Sequence, residues 1–329
     1  MQVLTNLSKY VLLAVLSCSF LIIWHGGNTD ITDSGPIITE TATRANNAND
    51  NRPVVAKPEN SIWATLRREF ILDHRTQSAQ VQAEIRKLLA DQGKLYSILK
   101  AAGPYIYFIH QQTRARGLPA EIALIPVIES EFNPNDRSSK GATGLWQLML
   151  GTARELGVKV RSGYDGRRNV IASTRAALAY FKDLGVYFNG NWYLAIAAYN
   201  CGQGKVNSAQ RRTGSKNFWN LPLPQETKFY VPKLLAVAAI VENPKKYGMQ
   251  LPPINNEPYF TEVKVQKAVS MAQVAKSSGI NINTLHKLNP DYHHTKVLKK
   301  GSDTLLVPVK KIPEVKAQIG LAPTSSKTL

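Results

Sequence analysis

The sequence predicts a mostly α-helical domain that is followed by a small β-α-α-β module. From residue 61 to about residue 247, apolar residues recur with the 3.6-residue spacing of amphipathic helices, and no convincing strand-like alternation appears. A break follows at Leu251-Pro252-Pro253. Beyond it, residues 260–265 alternate between apolar and polar side chains, which is typical of a strand.

The helical region divides into several segments. Residues 95–116 form one of them, with a break at Gly103-Pro104. A helix is also predicted over residues 119–132, with Pro119 in the first turn and a kink at Pro126, since proline has no N–H to donate. The remaining helices are predicted over residues 63–71, 81–89, 168–188, 192–199 and 227–241.

The C-terminal module is predicted over residues 258–311. Two short helices around residues 271–278 and 284–288 separate the first strand from a second one at residues 305–309. About fifty residues are few for an independent core. Residues 312–329 are assigned to a tail.

The N-terminal residues 1–27 are typical of an export signal or a membrane anchor. Lys9 precedes an apolar run, and the sequence up to Cys18 resembles a lipobox, in which the cysteine is acylated. The run continues to Trp24, so an uncleaved anchor and an ordinary signal peptide stay open, with a cytosolic helix as the remaining alternative. Residues 28–58 lack apolar periodicity and are predicted to be a disordered linker.

Charge and cysteine content restrict the classes of function. The net charge of +18 and the pI near 9.8 predict attraction to polyanions, and nucleic acid is the usual partner of such a chain. The export-like N-terminus argues against nucleic acid and favours the cell envelope. Cys18 and Cys201 are the only cysteines, so a disulfide framework is excluded.

Glu129 is the most unusual carboxylate in the helical pattern. It lies on the same stripe as Leu118, Ile122 and Phe132, whereas Glu131 points to nearly the opposite side and should be solvated. A carboxylate on an apolar stripe loses hydration, which raises its pKa, and a general acid at neutral pH needs that change. Pairing with Arg or Lys is the alternative explanation.

Four short motifs in a fixed order carry a family resemblance. They are Glu129-Ser130, Gly144-Leu145-Trp146-Gln147, Ala197-Ala198-Tyr199-Asn200-Cys201-Gly202 and Glu226-Thr227-Lys228-Phe229-Tyr230-Val231. Together they resemble the soluble lytic transglycosylase (SLT) family over about residues 94–247. The resemblance implies a lysozyme-like helical catalytic domain, which we assign to residues 59–250.

The tryptophan variant of the second motif resembles the membrane-bound lytic murein transglycosylase D type of this family. The C-terminal unit, with Gly279-Ile280-Asn281-Ile282 and Leu288-Asn289-Pro290, resembles a LysM peptidoglycan-binding module. The module is degenerate, because the usual Gly-Asp-Thr-Leu opening is absent near Val269-Ser270. The resemblance therefore supports a LysM-like fold for this unit better than it supports peptidoglycan binding by it.

The resemblance implies cleavage of the glycosidic bond between N-acetylmuramic acid and N-acetylglucosamine by a single carboxylate. Glu129 would protonate the glycosidic oxygen and then accept a proton from the C6 hydroxyl of muramic acid, which yields a 1,6-anhydro end. The residues implied to bind substrate are Ser130, Ser138, Gln147, Met149, Tyr199, Asn200 and Tyr230. No cofactor or metal is expected, since His293-His294 has no third ligand at suitable spacing.

Three alternatives stay open at this level. One is a lysozyme-like hydrolase that uses water, and another is a non-catalytic scaffold that binds peptidoglycan strands through the module. A nucleic-acid binder is the third. A thiol nucleophile formed by Cys201 and His110 has no supporting motif.

Overall fold

The computed structural model describes residues 60–266, 268–292, 298, 304–319 and 322–323. The export segment with Cys18, the whole predicted linker and His293-His294 lie outside the described residues. Within the part of the chain that is described, no helix is both long enough and apolar enough to cross a membrane.

The helical domain contains ten α-helices and one short hairpin among the described residues. Its helices are α1 (Ile62–Arg68), α2 (Ala79–Leu89), α3 (Gln92–Ala101), α4 (Ile106–Arg114), α5 (Ile125–Glu129), α6 (Leu150–Glu155), α7 (Val170–Tyr187), α8 (Trp192–Cys201), α9 (Gln203–Thr213) and α10 (Gln225–Glu242). The hairpin pairs β1 (Val160–Arg161) with β2 (Tyr164–Asp165). The predicted mostly α class is confirmed, and the hairpin escaped prediction because two residues per strand show no period.

The segment that carries Glu129 differs from the single helix predicted over residues 119–132. A 3₁₀ helix, Ala120–Leu124, leads into α5, which ends at Glu129. Glu131 and Phe132 then adopt left-handed backbone angles, with φ of 53° and 58°. Pro126 lies at the start of α5, where a missing N–H costs little, so it begins a helix and does not kink one.

Helix α10, which is as long as α7, runs through the main core, with most of its residues buried. Side-chain caps fix several helix starts: Ser78, Asp91, Asn169 and Asn191 each accept a hydrogen bond from a backbone N–H in the first turn. The indole of Trp63 in α1 donates to the carbonyl of Pro252 at 2.8 Å. That bond ties the first helix to the end of the domain.

A buried histidine connects three parts of the helical domain. His74, in the loop before α2, contacts Glu121 through Nε2 at 3.2 Å and Glu242 through Nδ1 at 3.0 Å. Glu121 also accepts hydrogen bonds from the N–H groups of Ile71 and Leu72. Burial lowers the pKa of His74, but the two carboxylates outweigh burial and hold that pKa above its ordinary value.

The C-terminal module has the predicted strand-helix-helix-strand order, with β3 (Phe260–Lys264), α11 (Met271–Ser278), α12 (Ile282–Leu288) and β4 (Thr304–Pro308). Strand β3 pairs antiparallel with β4 and with the short β5 (Ala322–Pro323). A further helix, α13 (Ile312–Ile319), lies within the residues assigned to a tail and extends the described fold beyond the predicted boundary.

The module packs directly on the helical domain. In β4, Leu305 and Val307 enter the module's own core, while Leu306 between them joins the core of the helical domain. Alternate side chains of a strand point to opposite faces, so burial on both faces explains the continuous apolar run. At the same interface, Asn169 donates to the buried carboxylate of Asp291 at 2.7 Å.

Candidate active site

A cleft of about 930 Å³ opens in the helical domain beside the C-terminal end of α5. Its walls come from α5, the loop that precedes α6, the end of α8 and the start of α10. Seven of the eight predicted site residues line it: Glu129, Ser138, Gln147, Met149, Tyr199, Asn200 and Tyr230. The fold thus brings together three sequence regions that lie far apart in the chain.

The carboxyl group of Glu129 meets the phenol of Tyr230 across the cleft. Glu129 is the last residue of α5 and is half-buried, and Tyr230 is a buried residue of α10. The Tyr230 hydroxyl donates a hydrogen bond to Oε1 of Glu129 at 2.5 Å. Such a short O–H···O distance is typical of a bond to an ionised acceptor.

Burial raises the pKa of Glu129 to about 7. The hydrogen bond from Tyr230 works in the opposite direction because it favours the ionised form, and the charge of Lys233 also lowers the pKa. The negative charge of Glu226 raises it. Near neutral pH, both the acid and its conjugate base are therefore substantially populated, as alternating acid and base catalysis requires.

Tyr199 supports the floor of the cleft. Its hydroxyl donates to the carbonyl oxygen of Trp146 at 2.7 Å, and its ring stacks on Phe181 with the ring centroids 4.3 Å apart. The indole of Trp146 in turn donates to Thr174 at 2.9 Å. These contacts hold the loop before α6 against α7 and α8.

Gly144 and Arg167 set the shape of that loop. The φ of Gly144 is 87°, and a Cβ at this position would lie 2.0 Å from the carbonyl oxygen of Arg167. The guanidinium of Arg167 is buried and donates to the carbonyls of Gly141 at 2.9 Å and Leu148 at 3.3 Å. Asp165 binds the same guanidinium at 2.8 Å.

Gln147 and Met149 leave this loop towards the cleft. Gln147 has a positive φ of 46°, and its amide donates to the carbonyl of Gly144 at 2.9 Å. Met149 is 47% exposed and lines the cleft. Across the cleft, Asn200 accepts a hydrogen bond from the buried Thr227 at 2.7 Å.

Comparison with known families and proteins gives a consistent assignment. Residues 106–222 match the transglycosylase SLT domain, and residues 259–320 match the LysM-like domain of lytic transglycosylase MltD. The membrane-bound lytic murein transglycosylase D of Escherichia coli is 35% identical over 80% of this chain and 59% of its own length. A protein of Alteromonas sp. named for tributyltin chloride resistance is 39% identical over 51% of this chain and 81% of its own.

The chain belongs to the transglycosylase SLT family. It spans about three-fifths of the length of the Escherichia coli relative. The solved structure of the lytic transglycosylase Slt from Pseudomonas aeruginosa is 28% identical over 59% of this chain and 33% of that chain, with a TM-score of 0.39.

Ser130 is the predicted site residue that the SLT domain of this chain does not bring into the cleft. It is 4% exposed, and its hydroxyl donates to the carbonyl of Leu145 at 2.9 Å. Because α5 ends at Glu129, the next residue turns back into the protein. Ser130 thus links the end of α5 to the loop that carries Gln147, and its assignment to substrate binding is not supported.

Sequence reasoning did not single out Asp136 and Lys233, which line the cleft, or Arg167, which shapes it from behind. Glu226 also lines the cleft; it belongs to a quoted motif but was not assigned to the site. Asp136 and Lys233 lie close to quoted motifs, so proximity was the available signal. Arg167 gave none, because charged residues are usually exposed and its burial depends on carbonyl groups distant in sequence.

Cys201 and His110 do not form a nucleophilic pair. Cys201 lines the cleft, and burial raises the pKa of its thiol, which disfavours the thiolate. His110 is fully buried elsewhere and contacts Glu69 at 2.8 Å. No group of three or more metal-binding side chains occurs among the described residues.

Proposed function

We propose that this chain is a lytic transglycosylase that cleaves peptidoglycan glycan strands between N-acetylmuramic acid and N-acetylglucosamine. The observation that carries the proposal is the half-buried Glu129 at the end of α5, with a pKa of about 7 and a hydrogen bond from Tyr230. Membership of the SLT family and the relatives named as lytic murein transglycosylases support the same reaction.

The reaction needs one carboxyl group in two successive states. Protonated Glu129 gives its proton to the glycosidic oxygen as the bond to C1 of muramic acid breaks. The resulting carboxylate then takes the proton of the C6 hydroxyl, and that oxygen attacks C1 to close a 1,6-anhydro ring. No water is consumed, and the attack is favoured because nucleophile and electrophile belong to the same sugar.

Tyr230 assists between the two steps. Its hydroxyl donates to the Glu129 carboxylate, so it stabilises the negative charge that forms after the first proton transfer. Ser138, Gln147, Met149, Tyr199 and Asn200 are proposed to hold the sugars along the cleft that they line.

A lysozyme-like hydrolase is the second candidate, because two further carboxylates line the cleft. Hydrolysis with retention or inversion normally requires a second carboxylate as nucleophile or base. Asp136 and Glu226 occupy positions in the cleft wall. Glu226 is largely exposed and contacts Lys140 at 3.8 Å, which makes it a poor buried nucleophile.

The cellular setting is proposed from the N-terminal pattern and from the relatives. We expect the chain in the periplasm or cell envelope, held to a membrane through acylated Cys18 or an uncleaved segment, with the LysM-like module binding glycan. The domain limits of residues 59–250 and 258–311 remain proposals.

Mass analysis of the products tests the proposed reaction. The full chain should release muropeptides with 1,6-anhydro ends, which are lighter by one water molecule than hydrolysis products. Glu129→Gln should lower the rate by at least about 10²-fold, because general acid–base catalysis contributes about 10²–10⁴-fold. The exposed Glu155→Gln should change little and serves as the matched control.

Two further variants separate the candidates. In a transglycosylase, Asp136→Asn and Glu226→Gln should each retain product chemistry and most of the activity. Reducing muramic acid ends, together with inactivation by either variant, would establish the hydrolase in place of our proposal.

A further inference from the structure

A second cavity of about 560 Å³ lies between the loop after α5 and helix α12 of the module. Residues 131–135 form one wall, and Asn283, His286 and Lys287 belong to the opposite wall. Among the described residues, it shares no lining residue with the catalytic cleft. The segment of residues 129–136 separates the two, with Glu129 and Asp136 on the cleft side.

The first wall presents hydrogen-bond donors. Oδ1 of Asn133 accepts the N–H of Asn135 at 3.0 Å, and Oδ1 of Asn135 accepts from the guanidinium of Arg168 at 3.3 Å. These donors fix which end of each amide is oxygen. Both asparagines are exposed, so their amino groups remain available to a ligand.

The second wall adds positive charge. Lys287 is exposed on α12, and its ammonium group has no ion-pair partner among the described residues. The acidic residue in the cavity wall, Glu131, is already paired with Lys94 at 2.8 Å. The cavity therefore offers N–H donors and one uncompensated cation, a combination that favours a ligand rich in carbonyl and carboxylate acceptors.

A sugar ring fits this cavity less well than a peptide. Phe132, the one Phe, Tyr or Trp in the described lining, is only 1% exposed, so it provides no face on which a pyranose could stack. We propose that the cavity binds a short acidic peptide, namely the stem peptide carried by the muramic acid residue bound in the cleft. This inference rests on the proposed function, since only a peptidoglycan strand would bring that peptide.

The distances are compatible with one substrate that reaches both places. Glu131 follows Glu129 by two residues, so their Cα atoms are at most about 7.6 Å apart. A stem of four or five residues extends over roughly 13–18 Å. A peptide that leaves a sugar near Glu129 can therefore cross the segment of residues 129–136 and enter the cavity.

Binding of a free stem peptide tests the site without any cleavage. The probe is the tetrapeptide L-alanyl-γ-D-glutamyl-diaminopimelyl-D-alanine, and the same peptide with its carboxylates converted to carboxamides is the matched ligand. In titration calorimetry on the full chain, Lys287→Gln should raise the Kd of the acidic tetrapeptide about fivefold. Lys276→Gln, an exposed lysine of α11 outside the cavity, should leave it unchanged.

Cleavage assays then connect the site to the substrate. With peptide-bearing strands, kcat/KM of Lys287→Gln should fall about fivefold through KM, whereas strands stripped of their peptides should be cleaved as by the wild type. Equal losses on both substrates, or equal affinity for the acidic and amidated peptides, would overturn the inference. If the wild type binds the acidic peptide but cleaves neither strand, the peptide site is supported and the proposed function fails.

Discussion

Removing the hydroxyl of Tyr230 tests the proton chemistry at Glu129 directly. The bond that Tyr230→Phe deletes lowers the pKa of Glu129, because it stabilises the ionised carboxylate. A hydrogen bond to a charged group contributes about 1.5–3 kcal/mol, and 1.36 kcal/mol corresponds to one pH unit of pKa. The pKa of Glu129 is therefore expected to rise from about 7 to roughly 8–9 in the variant.

The assay is the pH dependence of kcat/KM for glycan cleavage between pH 4 and 10. The kcat/KM of the wild type should fall as Glu129 loses its proton near pH 7, which gives the profile its basic limb. In the variant, Glu129 should keep its proton to higher pH, so the basic limb should move to higher pH and the maximal rate should be lower. Tyr199→Phe is the control, since that hydroxyl donates to the carbonyl of Trp146 and not to the carboxylate. A basic limb that stays in place or moves to lower pH in Tyr230→Phe would refute the reasoning.

Three further predictions concern stability. The pKa of Glu129 is about 7 in the fold against about 4.5 in water, so the free energy of unfolding of the wild type falls as pH rises through that window. In urea unfolding, Glu129→Gln should therefore gain up to about 3 kcal/mol of stability relative to the wild type between pH 4.5 and pH 8. A difference between the two proteins that stays constant with pH would contradict this. Gly144→Ala should cost more than about 3 kcal/mol because its Cβ would meet the Arg167 carbonyl, whereas Gly151→Ala, with open space around it, should change stability by less than about 1 kcal/mol. The pKa of His74 is raised in the fold, so its contribution to stability is fully present below the ordinary pKa of 6.5 and is lost as pH rises through the pKa of the folded state. The thermal unfolding temperature of His74→Gln should therefore depend less on pH above 6.5 than that of the wild type.

Much of the fold followed from periodicity. The predicted break at Gly103-Pro104 separates α3 from α4, and the strand and helix limits of the module differ from prediction by at most two residues. Glu131 is exposed, as its place opposite the apolar stripe predicted. These features depend on local pattern, which is visible in a single sequence.

The features that escaped prediction depend on tertiary contacts. The end of α5 at Glu129 requires positive φ angles at Glu131 and Phe132, residue types that seldom adopt them. Burial of Arg167 requires carbonyl groups from a separate loop. Hydrophobic periodicity carries no information on backbone angles or on the burial of a charged residue. It therefore predicted a longer helix and did not identify Arg167.

The early end of α5 also bears on the proposed mechanism with a single carboxylate. A continuous helix through residue 132 would have kept Glu129 on a buried stripe, where desolvation suppresses ionisation and substrate has no access. Because the helix ends at Glu129, the start of the Glu129 side chain stays packed, which raises the pKa of its carboxyl group. The carboxyl oxygens nevertheless reach the cleft and the hydroxyl of Tyr230. A group half-buried in this way can release a proton and recover it at neutral pH, as a reaction with an internal sugar nucleophile requires.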